Sequence, residues 1–204
     1  VALIGSCAKK DEETAAATTT TFTSTTTAAG SITVGSVTMS GTYVSGCNTS
    51  GVAAAVSGGH FPSDVVANRD VIVVTGSDNV SDESHWYTDT SCSTLSVYLK
   101  NGNDNFTVGD QSGDYYKVTY QEKRFKIKAD TAVAEAYYEN HFSTNNITNE
   151  GTAVDLVVGT EYSMGGSGSS YMNLFSVTST QVQKGRGSTS SYPTAMDSLE
   201  MAKQ

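Results

Sequence analysis

Short stretches of alternating apolar and polar residues, cut every few positions by Gly, Asn, Ser or Asp, set the tightest limit on how this chain can fold. Alternation at period two puts one row of side chains on each face of a strand. Leu95, Val97 and Leu99 alternate with Ser96 and Tyr98, and Val154, Leu156 and Val158 repeat the pattern. Val37, Met39 and Tyr43 share a face, and residues 65–75 form a strand region with Val71, Ile72, Val73 and Val74 as its buried part. Strands of this length joined by short turns pair antiparallel, since parallel pairing needs long crossovers.

Turn chemistry divides the runs. Residues 76–79 read as a turn, and Asn101-Gly102 reads as a hairpin with a short return strand over 105–108. Tyr116, Val118 and Tyr120 share one face. Phe125, Ile127 and Ala129 share another after a change of phase, which predicts a turn over 121–124. Residues 48–62 are small and Gly-rich and read as a loop, residues 171–184 as the last strand region, and residues 185–204 as a polar surface tail. The helix expected is one over 130–142, capped by Asp130, with Ala132, Val133, Ala136, Tyr137 and His141 at helical spacing. The fold class expected is therefore all-β with minor α: an antiparallel up-and-down or lipocalin-like barrel of about eight strands, whose closure removes exposed edges.

The core is lean. Hydrophobic residues make up 37% of the chain, and Thr, Ser, Gly and Asn fill the difference. The formal net charge of −9 argues against a nucleic-acid partner, which needs a basic face. The basic residues cluster over 117–128, where they read as the solvated face of two strands.

The chain opens VALIGSCAKK. Leu3-Ile4-Gly5-Ser6-Cys7 looks like the end of a lipoprotein signal peptide: an apolar run, small residues where a peptidase closes on the backbone, then Cys. That likeness implies three segments. Residues 1–7 are the remnant of the signal, with Cys7 lipidated; residues 8–30 are an Ala/Thr-rich flexible tether; residues 31–204 are the β-barrel-like domain. Ala8 rather than Asp after the Cys implies the bacterial outer membrane, with the membrane as partner through the lipid. Cys47 and Cys92 then form an even pair in an oxidising compartment and are expected as a disulfide worth about 4 kcal/mol.

Gly41-Thr42-Tyr43-Val44 with Cys47 resembles the first strand of small lipocalin-like bacterial envelope lipoproteins, with Tyr43 where a lipocalin usually has Trp. The segment from Tyr87 to Cys92 resembles the one that supplies their second Cys. Val182-Gln183-Lys184-Gly185, then Tyr192-Pro193-Thr194 and Asp197, resembles their closing strand and tail. The resemblance implies a barrel that holds a ligand or serves a structural role.

Candidate chemistry is thin. Tyr43, Trp86, Tyr98, Tyr116, Tyr120 and Phe175 either line a cavity for a small apolar ligand or fill a Thr-rich core. Asp78, Asp82, Glu83 and Asp89, and separately Asp104, Asp110 and Asp114, could supply a carboxylate pair for glycoside hydrolysis, but their Asn, Gly and Ser neighbours suit turns better. No GxSxG elbow is present, and His60, His85 and His141 read as packing or surface residues. Neither the Cys and His spacing nor the oxygen-rich stretch 101–105 forms a metal-ligand series, and residues 165–170 do not match a phosphate-binding fingerprint, so no metal or cofactor is expected. The expectation is a non-enzymatic, ligand-holding or structural barrel. The alternatives are an adhesion module on a Thr-rich stalk and an envelope hydrolase.

Overall fold

The structure, a computed structural model, describes residues 22–149 and 151–204. Cys7 and the tether up to residue 21 lie outside the described residues. The strands are β1 (Ile32–Val34), β2 (Val37–Met39), β3 (Thr42–Ser45), β4 (Ala67–Val74), β5 (Val80–Tyr87), β6 (Leu95–Ser112), β7 (Tyr115–Ala129), β8 (Thr148–Asn149), β9 (Thr152–Ala153), β10 (Glu161–Gly165), β11 (Ser170–Val177), β12 (Gln181–Gly185) and β13 (Met196–Lys203). The helices are α1 (Val52–Ser57) and α2 (Ala132–Thr144).

A closed eight-stranded barrel forms the body. Its strands run in the order β3-β4-β5-β6-β7-β11-β12-β13, every pairing is antiparallel, and β13 returns to β3. Sequence neighbours are thus spatial neighbours, except where α2 and β8–β10 intervene between β7 and β11. Strand β10 continues the sheet beyond β11 by pairing with the last part of β7. At one end the β1–β2 hairpin adds Ile32, Val34 and Met39 to a core of Tyr43, Ile72, Val74, Val80, Phe106, Val118, Phe175, Val182 and Met201. At the other end, the same face of β5–β7 carries Trp86, Val97, Ile127 and Ala129, which Ala134, Tyr138 and Phe142 of α2 cover. The Cys47–Cys92 disulfide, with Cα atoms 5.8 Å apart, ties the segment after β3 to the loop after β5.

Several local expectations are corrected. Asn101-Gly102 does not turn: a hairpin there would need a two-residue reversal, but β6 runs straight through the pair. The chain reverses instead at Gly113-Asp114, where Gly113 takes a φ of 64°. The phase change over 121–124 is not a turn either. Gly102 pairs with Arg124 and Asn103 with Glu122, so Lys123 is an extra residue. This bulge moves the inward row from Tyr120 to Phe125 without ending β7. Residues 185–204 are not a surface tail, because Met201 enters the core and β13 completes the barrel. The 48–62 loop contains α1.

Helix α2 is capped by Thr131, whose hydroxyl accepts the Ala134 N–H at 3.1 Å. A hydroxyl in that position satisfies one of the free N–H groups of the first turn. Asp130, the expected cap, instead pairs with Lys128 at 2.7 Å. The buried row of α2 is Ala134, Tyr138 and Phe142, so Val133, expected inside, is 43% exposed. Residues 154–158 do not form a strand. Leu156 is buried against α2, and its N–H donates to Glu139 Oε1 at 2.9 Å, while Val157 and Val158 face outward.

Residues 22–30, expected as the end of a free tether, lie on the barrel. Phe22 packs on Val44, Val71 and Val73 of the outer face, and Ala29 donates to the Val74 carbonyl at 2.9 Å. A segment poor in large apolar residues holds here because its hydroxyls meet a buried carboxylate, described below.

Candidate functional site

Between the two apolar ends the inward row turns polar. Register places Asp82 opposite Ile72 and Asn101, and Asn103 opposite Val80, so these side chains enter the barrel beside core residues. Tyr120, Tyr171 and Asn173 enter from β7 and β11, and Lys184 from β12. Together with Glu122 and the segment from Gly185 to Gly187 they line a chamber of about 230 Å³.

Lys184 donates to Asp82 Oδ2 at 2.5 Å, with both side chains 19% exposed. Burial alone would lower the lysine's pKa, but the Asp82 and Asp70 carboxylates outweigh it and hold the ammonium well above its ordinary value. Burial pushes the Tyr120 phenol upward, and its oxygen accepts from Asn173 Nδ2 at 3.4 Å. The 185–187 segment closes over these groups at backbone range. A Cβ at Gly187 would sit 2.6 Å from Tyr120 Oη, and one at Gly185 would sit 2.7 Å from Pro193 Cγ. Glycine, which has no Cβ, is what permits the approach. Glu122 Oε1 accepts the Ser167 N–H at 3.1 Å, which fixes a second loop at the same rim.

Of the six aromatic residues expected at a ligand cavity, Tyr120 alone lines this chamber. Tyr43 and Phe175 are packed in the core, with Tyr116 against its edge. Trp86 stacks on Phe61 at 3.8 Å, and its indole N–H is buried without a partner among the described residues. Tyr98 points outward and donates to Glu161 Oε2 at 2.6 Å. The chamber residues that sequence reasoning misses are Asn101, Asn103, Tyr171, Asn173 and Lys184. Asn101 and Asn103 continue the period-two row of Val97 and Leu99, a signal hidden by the turn-like Asn-Gly pair. Tyr171 and Lys184 reach the site only through barrel closure.

A larger groove of about 830 Å³ lies on the outer face, lined in part by Thr25, Thr26, Lys100, Arg124, Lys126, Lys128 and Glu161. Its cations already have partners: Arg124 pairs with Asp104, Lys126 with Glu161 at 2.7 Å and Lys128 with Asp130 at 2.7 Å. Lys100 donates to Thr25 Oγ1 at 2.6 Å. The basic run is thus a compensated face, which ranks the groove below the chamber as a ligand site.

Consecutive acids on β5 go to opposite sides. Asp82 faces in. Glu83 faces out, fully buried, and accepts from Ser24 Oγ at 3.0 Å, Ser81 Oγ at 3.1 Å and Thr26 Oγ1 at 2.5 Å, and contacts His85 Nε2 at 2.9 Å. Burial would raise its pKa, but the bonds from His85 and Thr26 and the Lys100 charge prevail and hold it below the ordinary carboxylate value. Asp104 pairs with Arg124, and Asp89 accepts three backbone N–H groups of its own loop, so these acids serve structure. Among the described residues no group of His, Cys, Asp or Glu is arranged to hold a metal, and no helix is long and apolar enough to cross a membrane.

No known protein-family model and no curated protein matches this chain. The geometry of the barrel therefore carries the functional reading.

Proposed function

We propose that this chain is a lipid-anchored, lipocalin-like barrel of the bacterial envelope that holds a small polar molecule in the chamber between its two apolar ends. The observation that carries this reading is the Asp82–Lys184 pair inside the barrel, beside Asn103 and Tyr120 and open to about 230 Å³ of space. Polar and charged groups in a barrel interior cost stability that apolar packing would not. Their presence beside an otherwise filled core is accounted for by a polar guest. The small apolar ligand expected from the aromatic residues gives way to a polar one, because Tyr43, Phe106 and Phe175 fill the apolar half. Both carboxylates of the chamber are engaged, Asp82 by Lys184 and Glu122 by the Ser167 N–H, and a holding role is preferred to hydrolysis on that ground.

The anchor part of the reading rests on Leu3-Ile4-Gly5-Ser6-Cys7 and on the disulfide, which suits an exported domain. Native mass spectrometry of protein isolated from its own membranes tests both halves. The expected spectrum shows an acylated Cys7 and a non-covalent mass lost on collisional activation. A bare polypeptide with no bound mass would overturn the reading.

A further inference from the structure

Two opposite charges line the chamber without pairing, and we infer from them that the guest is a free α-amino acid, bound as its zwitterion. This rests on the interior site proposed above and gives its ligand a chemical class. Glu122 stands on β7 and Arg186 just beyond the end of β12, and both line the same space. Among the described residues neither makes an ion pair, and the Arg186 side chain makes no hydrogen bond. Glu122 Oε1 accepts the Ser167 N–H, a neutral donor that leaves its charge uncompensated. Asp82 and Lys184, by contrast, match each other at 2.5 Å. The lining thus holds two cations and two carboxylates, with one of each sign unmatched.

The chemistry of the guest follows from that remainder. A simple anion drawn to Arg186 would enter facing Glu122, and a simple cation drawn to Glu122 would enter facing Arg186. An uncharged guest would displace water from both and return no charge. A guest with a carboxylate and an ammonium a few atoms apart meets both at once. The guanidinium fork takes a carboxylate through two parallel N–H bonds, and an ionised Glu accepts from an ammonium. Arg186 is exposed at the mouth but sits on a fixed segment. Gly185 and Gly187 on either side bring the backbone against Pro193 and Tyr120, and Met172 and Ser188 exchange N–H to carbonyl bonds at 2.8 and 3.0 Å. A segment already held on both flanks loses less freedom when a guest binds. Tyr171 is stacked on Tyr120, with ring centroids 5.8 Å apart and planes 17° from parallel, and the rings offer an apolar wall to the guest's side chain. The volume of about 230 Å³ falls below the range of pockets that take drug-sized ligands and suits one amino acid rather than a peptide.

Calorimetric titration of the folded protein with L-serine, L-glutamine and L-leucine, and with the N-acetyl and carboxamide derivatives of each, tests this, with glucose as the uncharged comparison. The expected result is saturable millimolar or tighter binding of at least one amino acid, with both of its derivatives about tenfold or more weaker. Arg186→Gln and Glu122→Gln should each weaken that binding about tenfold or more, and Tyr98→Phe in the outer groove should leave it unchanged. In Glu122→Gln the amide oxygen still accepts the Ser167 N–H, so the substitution removes the charge and keeps the loop contact. Circular dichroism checks that each variant folds. Arg186→Gln should also abolish the discrimination against the carboxamide, and Glu122→Gln that against the N-acetyl form, neither of which a structural role would alter. Amino-acid binding indifferent to both substitutions would overturn the inference. Binding of glucose or of an N-acetyl derivative, lost in Tyr171→Ala, with no free amino acid bound would overturn the ligand class and leave the interior site standing. Binding of none of these compounds would overturn the inference, and the mass measurement above then decides the interior site on its own.

Discussion

Two ionised side chains on neighbouring residues of β5 do different work because a strand sends them to opposite faces. Glu83 lies outside the barrel wall, buried by the Phe22–Thr26 segment, and its folded pKa is below the ordinary carboxyl value. A depressed carboxyl contributes stability that is fully present above the unfolded pKa of about 4.5 and is lost as pH falls through the folded value. Acid should therefore loosen residues 22–26 before the barrel opens, which limited proteolysis with an acid-active protease would detect as early cleavage there. Glu83→Gln should lower stability at neutral pH by about 1–3 kcal/mol and flatten this acid limb, as read by urea denaturation across pH. Inside the barrel, Lys184→Met leaves Asp82 without its cation. The expected loss is about 3 kcal/mol, and Asp82→Asn added to it should recover part of that loss. Losses from Lys184→Met and Asp82→Asn that simply add in the double variant would show that the pair is not coupled.

At the scale of elements, the disulfide is the clearest lever. It closes a span of 45 residues between β3 and the loop after β5. Chain-entropy arithmetic gives about 4 kcal/mol for a loop of that size. Reduction should lower the thermal midpoint by many degrees, and scanning calorimetry with and without reductant reads this directly. The same scale shows what a linear sequence can and cannot disclose. The strand pattern around Val71–Val74, the turn at residues 76–79, the Cys47–Cys92 pair and the presence of a helix near residue 132 are legible, because each is a local or pairwise signal. Asn101-Gly102 and the phase change near Lys123 carry turn chemistry, yet β6 and β7 pair along most of their length, so β6 passes straight through the first and β7 absorbs the second as a bulge. The inward row of α2 differs from the expected one because Tyr138 and Phe142, four residues apart, face the sheet, while His141 of the expected row is exposed. Strand β13 is hidden because Met201 alone of its described side chains is buried, so its role depends on partners far away in sequence.

For the whole molecule, closure creates the proposed site. The chamber exists only because β7, β11 and β12 bring Tyr120, Tyr171 and Lys184 round to face Asp82 and Asn103. For the anchor proposed at Cys7, Cys7→Ser should move the protein from the membrane to the soluble fraction without changing its fold. Retention in the membrane after that change would remove the anchor from the account. In the proposed function the inside of the barrel, rather than the larger outer groove, receives the guest. Hydrogen exchange read by mass spectrometry, with and without a small-molecule extract of the cells that make the protein, tests it most directly. A guest inside the barrel should add protection around residues 101–103, 120–122, 171–173 and 184–187. Protection confined to residues 25–27 and 124–128 of the outer groove would contradict it.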